Sequence, residues 1–404
     1  MTDPSPVHSM IPPRSAPAPK RSGFSWRSSH VRALVYQILA LSLIAFTVWL
    51  LVTNTLDNMR SRGIQSGFDF LLQPAGFDIG ENWIGYDSNN HYWKAFLVGL
   101  VNTLRVALIG IVLTTIFGTL LGIGRFSRNA LVRGLCYGYV EMFRNIPVLL
   151  QLLMWYLIFT EYLPQISQAW NVGDLLFLSK NGISFPSPVW ALGHTLGLLG
   201  LVAGAVAAYL FAKRARQRFE QTGHVQKVLW QCLAMMLGGA LLGWLAGGAP
   251  WGWDIPKMNE VQVEGGGALT PEYLAVLIGL VLYTSAFVAE VVRGGIASVS
   301  LGQHEASASL GLSRWHSMRL VVLPQALRVI IPPMTNQFLN LTKNSSLAVA
   351  VGYPDLVSIA NTSLNQTGRA VECIAIIMAI YLTTSLITSG FMNWFNARAA
   401  IKER

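Results

Sequence analysis

Few side chains in this 404-residue chain could do chemistry, and those few are spaced as helix-face partners rather than as a reacting set. Glu141 and Arg144 stand three residues apart, as do Glu290 and Arg293. That spacing puts both members of a pair on one helical face, where opposite charges can meet. Such pairs either stabilise helix ends or brace helices that move together. Asn336, Asn340 and Lys343 form a second group, polar positions inside an otherwise apolar stretch. Polar side chains in such a setting either line a water-filled path or hydrogen-bond between helices. The seven histidines lack metal-ligand spacing, and His304 and His316 read as surface residues. Cys136, Cys232 and Cys373 show no paired spacing and read as small apolar residues. No phosphate loop surrounds any of the eight lysines, so the chain is not expected to bind ATP itself. Gly118, Gly122 and Gly124 fall inside an apolar helix rather than after a strand, which suits close helix packing.

The elements that position these residues are apolar. The chain is 52% hydrophobic and only 12% charged, against roughly 25% charged in soluble domains. Its apolar residues gather in runs of about twenty, the length a helix needs to cross a bilayer. Eight such runs predict spans at 33–53, 97–123, 137–160, 189–211, 227–247, 271–293, 325–351 and 371–394. The expected fold class is therefore all-α, a polytopic membrane protein of about eight transmembrane helices. The net charge of +10 is a topology signal rather than a nucleic-acid footprint, because twenty Lys and Arg fall in one set of alternate loops and six in the other. By the positive-inside rule both termini and the 298–324 stretch are cytoplasmic. Residues 1–32 are rich in Pro, Ser and basic residues and read as a disordered tail; they do not read as a signal peptide. Residues 33–95 hold the first span and an outer loop, in which Trp83, Tyr86, Tyr92 and Trp93 suit the interface. A second short tail covers 396–404.

One polar stretch, Ser298 to Pro333, lies between the sixth and seventh spans. Ser300 with Gln303 makes a capping-box pattern that opens a helix over Leu301–Leu310. Gly311 suits the left-handed turn that closes it. Ser313 then caps a second helical unit, until Leu323-Pro324 resets the backbone. The expected object is a compact helix-turn-helix hung from two membrane spans, suited to docking a soluble partner.

Glu305, Ala306, Ser307, Gly311, Leu323 and Pro324 stand at the spacing of the Glu-Ala-Ala loop in permease subunits of ATP-binding-cassette (ABC) importers, and the stretch resembles that coupling loop. Ser307 departs from the second Ala but keeps its small size. Asn102-Thr103-Leu104, and Tyr139 to Pro147 with its Glu141 and Arg144, are similar to the polar-amino-acid branch of these permeases. The matching segments, 96–166 and 270–395, enclose an insert at 165–270 with two further spans. That longer layout, a permease domain over 96–395, resembles the general L-amino-acid permeases. The resemblance implies a type I importer permease fold with a cytoplasmic coupling helix in a bacterial inner membrane. It also implies a second permease subunit, two ATPase subunits that bind the ATP, and a periplasmic amino-acid-binding protein. No cofactor of this chain's own and no catalytic role are expected. A rival is a secondary transporter driven by an ion gradient, which would show internal repeats; no convincing repeat is present.

Overall fold

The computed structural model describes residues 29–61, 63, 66–223, 228–259 and 263–399. The expected tails at 1–32 and 396–404 therefore lie largely outside the described residues. The chain divides into two units, ending and beginning at Ser66 and Gly67. In the first, α1 (Ser29–Ser61) is a single long apolar helix covering the first predicted span.

The second unit begins with a loop bearing a 3-10 turn at Asp69–Leu72, then α2 (Tyr92–Gly124), α3 (Ala130–Asn145) and α4 (Val148–Leu157). The predicted span at 137–160 is not one straight helix: α3 and the stretch from α4 to Tyr162 meet at 103°. The cause is local. Ile146 precedes Pro147 and is extended at φ −96°, ψ 127°, as the clash with a following proline ring favours. Short strands follow: β1 (Trp170–Val172), β2 (Leu176–Ser179), β3 (Gly182–Phe185) and β4 (Ser187–Pro188). The insert's two predicted spans are α5 (Leu192–Thr222) and α6 (Val228–Ala246), which pack against each other. Beyond them come β5 (Trp253–Asp254), β6 (Lys257–Met258), β7 (Val263–Glu264) and β8 (Gly267–Leu269). Strands β1, β2, β3 and β8 form one antiparallel sheet in that order, with Ile183 opposite Leu269. These strands were not foreseen, because runs of two to four residues carry too little alternation to read.

The sheet feeds directly into α7 (Pro271–Ala297), capped by Thr270, whose hydroxyl accepts from the Tyr273 amide. After α7 come α8 (Leu301–Ser309), α9 (Arg314–Ser317), α10 (Leu323–Asn344), α11 (Leu356–Thr367) and α12 (Ala370–Ala399). Among the described residues six helices are long and apolar enough to cross a membrane, or up to seven with the bent α3–α4 pair. Helix α10 is not among the six. It ends at Asn344 in a 3-10 turn to Val351, so the predicted 325–351 run is a shorter helix and a turn. Helix α11, between the predicted spans at 325–351 and 371–394, is short, with Leu356, Ile359, Ala360 and Ser363 buried.

Helix α7 is the most buried of the spans and packs on α2, α3, α4 and α10. Four apolar clusters lie along it and its neighbours. One holds Phe70, Phe96 and Leu356, a second Phe159, Leu274 and Ala275, a third Val106, Leu280 and Tyr353, and a fourth, toward α8, Val288, Ile330 and Met334. The α2–α7 contact is close enough to need glycine. A Cβ on Gly118 would lie 2.6 Å from Val288 Cβ and 2.8 Å from the Ser285 carbonyl oxygen, and one on Gly122 would lie 2.8 Å from the Ala289 carbonyl oxygen. Gly138 on α3 has open space instead. Gly118→Ala is expected to lower stability by about 1–3 kcal/mol through overpacking. Gly138→Ala should be neutral or stabilising by up to about 1 kcal/mol. Thermal melting of the two purified variants checks the difference, and equal melting points would contradict the packing.

Candidate coupling and translocation site

Helix α8 hangs between α7 and α10, and Ser300 occupies its N-cap position. The expected capping box does not form. The Ser300 side chain makes no capping bond, and the Gln303 side-chain oxygen Oε1 instead accepts from Gln325 Nε2 at 3.0 Å. Gln303 thus ties α8 to the start of α10, a tertiary bond that replaces a local one. The C-terminus follows expectation. Gly311 has φ +69°, its amide reaches the Ala308 carbonyl at 2.9 Å, and the Leu312 amide reaches Ser307 at 3.2 Å. These two bonds are the Schellman pattern, which a left-handed residue past the last turn permits.

Glu305 and Ala306 are exposed, whereas Ser307 is buried. Ser307 Oγ donates to the His304 carbonyl at 2.8 Å and shares a hydrogen bond with Ser317 Oγ at 2.6 Å. The departure from the second Ala therefore supplies a bond between α8 and α9. Ser313 caps α9 as expected, its hydroxyl accepting from the His316 amide. Leu323-Pro324 does not reset the backbone. A π-helical stretch at Met318–Val322 joins α9 to α10, and Pro324 sits in the first turn of α10. A proline in a first turn leaves no intrahelical donor missing, so the helical path continues through it. Pro332 and Pro333 both lie inside α10.

The two predicted ion pairs differ. Arg293 Nη2 lies 2.5 Å from Glu290 Oε1, and Arg125, just beyond α2, also donates to Glu290. Arg125 was read only as a loop charge; its place is set by how α2 packs on α7. Glu141 and Arg144 do not pair. The Arg144 guanidinium sits 5.5 Å from the Phe287 ring centroid, and the Glu141 carbonyl accepts from Asn145 Nδ2 at 2.8 Å. Spacing allowed the contact, but the side chain turned to an aromatic face on α7, where a guanidinium is also favourable.

On α10, Asn336, Asn340 and Lys343 are all exposed in this chain. At about 3.6 residues per turn they share one face. Ile330, Met334 and Leu341 of the same helix are buried.

A further network at the opposite end of the bundle was not foreseen. Arg105 on α2 bonds Glu81 of the loop before α2 at 2.9 Å, and its guanidinium lies 4.1 Å from the Trp83 ring and 4.0 Å from that of Tyr273. The Thr270 hydroxyl donates to the other Glu81 oxygen. Asn102 Nδ2 donates to the carbonyls of Glu81 (3.0 Å) and Pro354 (2.9 Å). Trp83, expected at the lipid interface, is thus a lid on an arginine. Nearby, Tyr86 donates to the Phe77 carbonyl at 2.9 Å, and burial with Asp78 beside it pushes its phenol up to about 12. The loop's other end is held by Arg369, whose Nη2 lies 3.1 Å from Asp69, and by Glu372, which accepts from the Gly67 amide at 2.6 Å. Among the described residues no group of three or more His, Cys, Asp or Glu could hold a metal ion.

The bundle thus has a short two-helix unit at one end and a strapped loop at the other. Residues 228–401 match the family described as binding-protein-dependent transport system inner membrane component. The general L-amino acid transport system permease protein AapQ of Rhizobium johnstonii is 43% identical over 387 residues, 95% of this chain and 97% of AapQ. The putative amino-acid ABC transporter permease YhdX of Escherichia coli is 44% identical over 387 residues, 95% of this chain and 98% of YhdX. BztB of Rhodobacter capsulatus, a glutamate/glutamine/aspartate/asparagine transport system permease, is 37% identical over 423 residues, 96% of this chain and 99% of BztB. The chain belongs to the ABC transporter permeases and is a membrane-embedded subunit of an ATP-driven importer. At this coverage the likeness includes the α5–α6 insert.

Glu81 is buried and Arg105 is 12% exposed, so removing one partner strands the other. Glu81→Leu is expected to cost about 3–5 kcal/mol, and Glu81→Leu with Arg105→Met much less. Melting temperatures of the single and double variants test this; additive losses would show that the pair is not coupled.

Proposed function

We propose that this permease subunit carries L-amino acids inward across a bacterial inner membrane, with both termini cytoplasmic. In this reading a second permease and two cytoplasmic ATPase subunits complete the membrane complex, and a periplasmic binding protein delivers the substrate. The likeness to AapQ and YhdX over nearly the whole chain supports the substrate class. The alternation of basic loops supports the orientation. ATP is bound and hydrolysed by the partner subunits, and this chain has no catalytic role of its own.

The observation that carries the coupling role is the surface of the α8–α9 unit. It exposes Leu301 (72%), Leu310 (79%) and Trp315 (69%) around Glu305 and Ala306. Large apolar side chains left exposed on a short polar unit outside the long apolar helices suit a docking surface. The unit is held as one piece by the Ser307–Ser317 bond and to α10 by the Gln303–Gln325 bond. A displacement of the docked surface therefore reaches α7 and α10 together, and their tilt opens the path to one side or the other. Asn336, Asn340 and Lys343 are the residues proposed to line that path, since an exposed polar face in lipid needs a partner permease or water to cover it. The Arg125–Glu290–Arg293 cluster braces α2 and α7 at their inner ends; Arg144 reaches α7 separately, at the Phe287 ring.

Glu305→Lys is expected to reduce recovery of a phosphate-loop ATPase and leave the partner permease bound when the tagged protein is purified in mild detergent. Repeated recovery of this chain alone, without variants, would reject the assembly. Gly311→Val puts a β-branched residue at φ +69°, which costs of order 1–3 kcal/mol. It is expected to lower amino-acid uptake more than ATP hydrolysis; unchanged uptake in vesicles would rule out the coupling role.

A further inference from the structure

A cleft of about 380 Å³ opens between α2, α7, α10 and α12 in the half of the bundle nearest the coupling loop. Its floor is apolar and buried, with Val292, Ile330, Met334 and Met392 all below a tenth exposed. Its rim is apolar and open: Ile123, Leu323, Phe391 and Phe395 are between 40% and 61% exposed. Thr115 and Thr119 are the only polar side chains in the lining, and the Thr115 hydroxyl is used on the Ile111 carbonyl at 2.7 Å. An apolar cavity of this kind does not hold ordered water. Nor is it the proposed translocation path. Leu327, Ile330, Met334 and Phe338 of α10 line it, whereas Asn336, Asn340 and Lys343 project from roughly the opposite side at about 3.6 residues per turn.

The mouth is set among long apolar helices of a membrane family, so what reaches it is hydrocarbon. Charge at one end selects the kind. Arg125 and Arg293 share the single carboxylate Glu290, which leaves an excess positive charge. Arg125 lies two residues beyond Ile123, and Arg293 one beyond Val292, both lining residues. We propose that this cleft is a lipid site, holding one acyl chain of an anionic phospholipid from the coupling-loop leaflet with its phosphate near Arg125 and Arg293. Val292 and Ile296 belong to the helix entering the coupling loop, and Leu323 to the helix leaving it. Tilting α7 against α10 must therefore reshape the cleft, and the bound chain weighs on the conformational balance. The inference rests on the membrane family alone, not on the substrate or partners proposed above.

The test uses the permease complex as purified from its membrane, placed in nanodiscs of phosphatidylethanolamine with phosphatidylglycerol carrying a photoactivatable diazirine in its acyl chain. Labelling is expected to concentrate on peptides holding Thr119, Ile330 and Met334, and to fall several-fold when the diazirine is carried by phosphatidylethanolamine instead. Thr119→Phe fills the cleft and should cut that labelling about tenfold, the effect of excluding roughly two methylenes. Leu327→Trp, which narrows the rim without burying new bulk, should cut it too if Thr119→Phe fails to fold. Leu382→Phe, on the exposed surface of α12, should leave it unchanged. Even labelling of all exposed helix faces, or labelling indifferent to both cleft variants, would overturn the proposal. So would a protein cross-link showing another chain seated in the cleft, and equal labelling by both headgroups would overturn its anionic selectivity.

Discussion

Backbone contact between α2 and α7 is the constraint on which the rest of the bundle depends. In lipid, apolar side chains gain little by leaving hydrocarbon, so helices associate through packing and hydrogen bonds, and small residues let them come close. Gly118 and Gly122 supply that closeness against Val288 and Ala289. Once α2 and α7 lie together, everything else has a surface to pack on: α3 and α4 on one flank of α7, α10 on another, α11 against α2. The inner cleft exists because α10 and α12 complete a wall that this pair begins.

The same pair is fastened by charge at both ends. At one end Arg105 of α2 meets Glu81, which also takes the hydroxyl of Thr270, the N-cap of α7. Toward the other end Arg125 meets Glu290 of α7. Ion pairs withdrawn from water contribute little net stability against an apolar replacement, but breaking one is costly, more so at Glu81, which is buried, than at the partly exposed Glu290. Their effect here is on register, since sliding one helix along the other would strand charges at both ends at once. A pair held in this way moves as a unit, and α8, joined to the end of α7 and bonded through Gln303 to Gln325, is positioned to move it.

The insert follows a different logic. Helices α5 and α6 pair with each other, and their outer loops form strands, one of which, β3, aligns with β8 just ahead of α7. The sheet therefore continues into the N-cap of the central helix. This connects the added segment to the core by main-chain hydrogen bonds, which need no particular side chains and leave almost no mark in the residue pattern.

What the sequence determined by itself follows from local physics. Runs of apolar residues about as long as a bilayer is thick marked the insert helices, α2, α7 and α12. The left-handed preference of glycine marked the end of α8 at Gly311, and the spacing of Glu290 and Arg293 marked a pair that forms. The tertiary structure decided what depends on which helix lies beside which. It turned Arg144 to Phe287 rather than to Glu141, gave Gln303 a partner on α10 in place of its own cap, and brought Glu81 across 24 residues to Arg105. It also bent 137–160 by 103° and cut 325–351 short. A side chain with two favourable partners chooses by proximity, and proximity between helices is set by packing that no single segment encodes.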